Sequence, residues 1–212
     1  METNELIKAL AADTVRPAAP LSSVWWGAAV LAIAFAAAVF LATIGPRLDI
    51  AAAAETPRFL FKFVVTMMLA ASAFGLARAL ARPGETWREA LPYLAAAPAL
   101  LAVAVAAELL LVPSDTWAAK VIGMNSMVCL FYIPLIGIGP LAVFLAALRY
   151  GAPTRPAMAG AVAGLLAGGI AATFYAAHCT DDSPLFVATW YTIAIAGLAL
   201  VGVAGASRLA RW

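Results

Sequence analysis

The sequence predicts an all-α fold, a polytopic bundle of six helices crossing a membrane. Two observations carry that expectation. Six windows of about 20 or more consecutive apolar residues occur, each long enough to cross roughly 30 Å of hydrocarbon: 24–45, 59–80, 91–112, 121–148, 156–177 and 185–206. The composition agrees, with 65% hydrophobic and only 11% charged residues, against about 25% charged in soluble domains. So few charges cannot cover a soluble fold of 212 residues. The windows are continuously apolar and lack the period-2 alternation of a membrane barrel, so helices are expected rather than strands.

Residues 1–23 precede the first window as a polar cytoplasmic segment. They lack the compact apolar stretch and cleavage site of a secretory signal. Within METNELIKALAAD, Thr3 or Asn4 can cap a short helix, with Glu5 in its first turn. Leu6, Ile7 and Leu10 then share one face, away from Glu5 and Lys8. A helix this short is marginal alone in water. On a Pro/Ala/Ser tether, it suits either a groove on a cytosolic partner or the inner leaflet surface.

Polar, proline-containing connectors separate the windows: GPRLDIAAAAETPR, ARPGETWREA, PSDTWAAK, RYGAPTR and HCTDDSP. Nine of the 13 Lys and Arg residues fall on the side of the two termini, and four on the other. That bias places both termini, including the short tail 207–212, in the cytoplasm. Trp25, Trp26, Trp87 and Trp117 fall near window ends, where indole rings favour the headgroup region. The fourth window is too long for one span and contains Pro134 and Pro140, which predict a kink or break there. Gly160, Gly164 and Gly168 recur every four residues in the fifth, forming a face for close helix packing within the bundle.

The chemistry available is narrow. Lys62, Arg78 and Glu108 are the ionisable residues inside the windows, each about a turn from an end where it can snorkel to the interface. No midplane proton relay is expected, which weighs against the alternative of a small transporter or channel. The motifs of hydrolases, P-loops and zinc sites are absent, so no enzyme is expected. The net charge of +2 gives no reason to expect direct nucleic-acid binding, whereas the bilayer is an obligatory partner. No resident cofactor is expected.

Cys129 and Cys179 both fall in the outer half of the chain, Cys129 about eight residues into the fourth window. With His178 and Met127 as auxiliary soft or borderline ligands, they can bind a thiophilic metal ion transiently. Two small residues packed between helices account for them equally simply.

Five stretches carry a resemblance: NELIKALAAD, PRFLFKF, SMVCLFYIPL, GAPTRPAMAGAVAGLLAGG and HCTDDSPLFVATWY. Hydropathy does not dictate the last two. In them the chain resembles the NrsF-type family of multi-pass inner-membrane anti-sigma factors. The resemblance implies capture of an extracytoplasmic-function sigma factor by the N-terminal segment, with Leu6, Ile7 and Leu10 as contacts. It also implies that Cys129 and Cys179 sense a redox or heavy-metal signal from the periplasmic side.

Overall fold

The computed structural model describes residues 3–13, 20–82, 84 and 86–209. These are mostly helical, with no strand among the described residues. Helix α1 (Thr3–Asp13) is the N-terminal segment. Six long helices follow: α2 (Leu21–Thr43), α3 (Pro57–Leu80), α4 (Trp87–Leu111), α5 (Ser126–Leu148), α6 (Pro156–Ala176) and α7 (Pro184–Arg208). Each is long and apolar enough to span a membrane, as the hydropathy windows require.

Helix α6 lies at the centre, packed against α7, α3 and α5. Two thirds of its apolar window is buried, against about a tenth for α4 at the rim. The cause is its small residues. A Cβ added at Gly160 would lie 2.2 Å from the Gly202 carbonyl oxygen, and one at Gly164 2.4 Å from the Ala199 Cα. The glycine face is therefore the seam with α7 inside one chain, as its spacing predicts. On the opposite side Gly169 packs against the Ala70 backbone of α3.

Three expectations need correction. The fourth window does not break at its prolines, because α5 runs unbroken through Pro134 and Pro140. The division falls at Gly123, where a short helix (Trp117–Ile122) ends with φ near +60°. Only glycine fits, since a Cβ there would also meet the Phe186 ring at 2.5 Å. Cys129 consequently sits in the first turn of α5, about 4–5 Å along the helix from Ser126 rather than deep in a span. Trp25 is not an interface residue either. It is buried, stacked on Phe144 with ring centroids 6.1 Å apart and edge-on to Phe74, while Trp26 is exposed.

The third correction concerns the charges. Lys62 and Glu108 do not snorkel. Both are buried, and their partners come from connectors that a hydropathy window cannot see. Arg78 is half-buried over the rings of Trp26 and Phe74.

Candidate functional site

The connectors 44–56, 112–125 and 177–183 meet at one end of the bundle, and the last of them ties the others together. It enters from the α6 terminus, where the Cys179 amide donates to the Tyr175 carbonyl at 3.0 Å. Its residues then bond outward in turn. The His178 ring, through Nδ1, is 3.0 Å from the Gly45 carbonyl just after α2. The Cys179 carbonyl accepts from the buried Lys62 ammonium of α3 at 2.8 Å and from Arg47 at 3.4 Å. Asp181 accepts from the Met124 and Asn125 amides at 3.0 and 2.8 Å, where α5 begins. Asp182 pairs with Lys62 at 2.5 Å and with Arg47 at 3.2 Å. The Ser183 hydroxyl donates to Glu108 of α4 at 2.7 Å and caps α7 by accepting from the Leu185 amide.

Residues 178–183 thus tie the ends of all six spanning helices together, and their types are those the job needs. Carboxylates take two amide donors at a helix start or two cations at once. Serine is a preferred N-cap. Glu108, buried on α4, completes the far side by pairing with Arg58 of α3 and Lys120 of the 112–125 connector, each at 3.3 Å. Arg47 forms a two-pronged pair with Asp49 at 2.6 and 2.7 Å. Those bonds to Asp49 hold the Arg47 guanidinium more firmly protonated and hold the Asp49 carboxyl below its ordinary range.

The two thiols lie inside this end, both fully buried and both free. Cys129 and Cys179 are within electrostatic reach of each other and of Lys62, with Tyr175 and Tyr191 bordering them. Tyr191 stands in a π-helical turn, Val187–Tyr191, of the sort often found at functional sites. Its ring is 5.6 Å from that of Tyr175. Burial pushes the Cys179 thiol above its usual range, with Lys62 pulling the other way. The thiol is therefore protonated at neutral pH and donates weakly to the Asp181 carbonyl at 3.7 Å.

The structure sets Met127 apart from the pair. Met127 is 71% exposed, two residues and about 200° around α5 from the buried Cys129. The Nδ1 of His178 is engaged at Gly45. Among the described residues, no three His, Cys, Asp or Glu side chains converge as a metal cluster. A soft ion here would take its protein ligands from the two sulfurs. At the other end of the chain, Leu6 and Ile7 are exposed on α1. The Leu10 side chain lies outside the described residues.

The network makes Lys62→Met costly. It removes a buried donor from the Cys179 carbonyl and one of two cations from Asp182. Losing one partner of a buried ion pair costs about 3–5 kcal/mol, and Arg47 still holding Asp182 places this change at the low end. The expected result is a clearly lowered unfolding temperature for the purified protein in detergent. A melting curve matching wild type would show that the tie is dispensable.

The sequence profile of the NrsF family, described as negative regulator of sigma F, matches residues 10–212. The anti-sigma-F factor NrsF of Caulobacter vibrioides is 34% identical over 218 residues, covering the whole of both chains. The probable anti-sigma-F factor NrsF of Azospira oryzae is 32% identical over 231 residues, again covering both completely. No solved structure matches. With a six-helix membrane bundle, a profile match over nearly its whole length and two full-length relatives, the chain belongs to the NrsF family of anti-sigma factors.

Proposed function

We propose that this anti-sigma factor holds an extracytoplasmic-function sigma factor at the bacterial inner membrane. It releases that factor on a redox or heavy-metal signal read by Cys129 and Cys179. The termini face the cytoplasm, in keeping with nine of 13 Lys and Arg residues on that side. Helix α1 offers the exposed Leu6 and Ile7 to the sigma factor, and Leu10 follows Leu6 by four residues in the sequence. The thiols then occupy the periplasmic end, where oxidants and metal ions arrive from outside the cell.

One observation carries the sensing role: Cys179 belongs to the segment on which the other loop-end elements are fastened. Two reactions are open to the pair. Forming a disulfide passes two electrons to an oxidant and releases two protons, and it requires Cα atoms about 4.4–6.8 Å apart. Ligating one soft metal ion releases the same two protons, and it draws the sulfurs together around the ion. Either event moves Cys179 and so disturbs its ties to α2, α3, α4 and α5. Movement of α5 reaches Arg149 at its far end, where the sigma factor is held.

The partner is tested by solubilising the full chain from its native membranes in mild detergent and identifying what is retained. The expected result is a stoichiometric sigma factor of the extracytoplasmic-function type. Retention of no sigma factor by an intact, monodisperse protein would overturn the proposal.

A further inference from the structure

Positive charge is used differently at the two ends of the bundle. At the thiol end, Arg47, Arg58, Lys62 and Lys120 are all paired with carboxylates. At the opposite end Arg88, Arg149 and Arg155 are exposed, and among the described residues none is paired with a carboxylate. Two of these arginines nonetheless lie against one aromatic ring. The Arg88 and Arg155 guanidinium carbons lie 5.7 and 5.2 Å from the centre of the Trp87 ring. Arg88 belongs to the first turn of α4, while Arg155 is the N-cap of α6, so the tryptophan joins two connectors. Those connectors are stitched directly, with the Ala152 amide donating to the Ala81 carbonyl at 3.1 Å. A Cβ at Gly151 would lie 2.4 Å from that same oxygen, so the two backbones touch.

A guanidinium held over an aromatic ring keeps its edge donors for carboxylates and has already given up part of its side-chain freedom. A topological excess of positive charge requires no such arrangement. The size of α1 gives an independent reason to look for a second contact. It has 11 residues, whereas a stable protein–protein interface draws on about 20–30 residues from each side. The platform stands at the end of the bundle where α2 begins, and seven residues of sequence separate the end of α1 from that start.

We propose that the arginine-on-tryptophan platform of Trp87, Arg88 and Arg155 is a second docking surface for the captured sigma factor, fitted to an acidic face of that protein. It rests on the functional reading above. Helix α1 supplies the apolar anchor, whereas the platform steers the approach and sets the orientation. Charges of this sort act chiefly on the association rate and its salt dependence.

The test uses the full chain in nanodiscs of pure phosphatidylcholine and the purified sigma factor recovered with it. Association and dissociation rates are measured at low and moderate salt. Arg88→Glu with Arg155→Glu is expected to slow association by about tenfold at low salt and to flatten its salt dependence. Dissociation should change far less. Both side chains are exposed, and the two connectors stay joined by the Ala152 to Ala81 hydrogen bond, so the fold is kept; Arg88→Lys with Arg155→Lys should restore most of the salt dependence. An unchanged association rate in the double Glu variant overturns the proposal. So does a rate that responds to these arginines only when phosphatidylglycerol is added, because they would then be reading lipid headgroups. If wild type binds no sigma factor, the functional reading itself fails. If only Leu6→Asp with Leu10→Asp weakens binding, that reading stands and this one falls.

Discussion

Cys129→Ser and Cys179→Ser are each expected to abolish induction while leaving the sigma factor held in unstressed cells. Serine keeps the size of the side chain but removes the soft sulfur, so neither a disulfide nor a two-sulfur metal site can form. Both positions are fully buried. The hydroxyl of Cys179→Ser can still donate to the Asp181 carbonyl, so the ties made by its backbone survive. At position 129 a buried hydroxyl carries its own desolvation cost, and Cys129→Ala is the control that separates this cost from loss of the sulfur. A signal shifts the balance between holding and releasing only by its different affinity for the two states. Turning a mostly bound partner into a mostly free one needs affinity to fall on the order of 100-fold, about 2.7 kcal/mol. The measurement is a reporter of the sigma-dependent regulon with and without cadmium or a membrane-permeant oxidant. Full induction in either serine variant would reduce the two cysteines to packing residues.

Leu6→Asp combined with Leu10→Asp is expected to switch the regulon on without any signal. An apolar anchor buried in a partner's groove contributes about 2 kcal/mol or more, roughly thirtyfold in affinity. A carboxylate in that groove adds a burial penalty of its own. Leu6 is exposed on α1, so the protein should accumulate normally. Immunoblots of the membrane fraction beside the regulon reporter check both halves. Wild-type repression by a variant present at wild-type level would show that α1 is not the contact.

The spans were legible because crossing a membrane needs about 20 apolar residues, a signal that needs no tertiary context. The Gly160, Gly164 and Gly168 seam was legible for a similar reason, since a four-residue repeat places small residues on one face. The thiol end was not. Its bonds join the HCTDDS segment to Gly45, Arg47, Lys62, Glu108 and Asn125, which share no periodicity and lie up to 135 residues away. Lys62 and Glu108 therefore read as interfacial charges, although each is a buried anchor. The depth of Cys129 is not legible in hydropathy, because the break at Gly123 falls inside an apolar run. A lone glycine there was the available signal, and the two prolines drew the break toward themselves. They bear on the route of the signal as well. With α5 unbroken through Pro134 and Pro140, the proposed route from Cys129 toward Arg149 is one continuous helix.

In the proposed coupling, chemistry at the buried thiol pair loosens the hold on a protein at the opposite end of the bundle. It is tested most directly by loading nanodisc-held full chain with its purified sigma factor, adding cadmium or an oxidant on the side away from the termini, and measuring the sigma factor released. The account predicts release from the wild-type chain and retention by Cys129→Ser and Cys179→Ser. Retention by a wild-type chain whose two thiols have demonstrably reacted would contradict it.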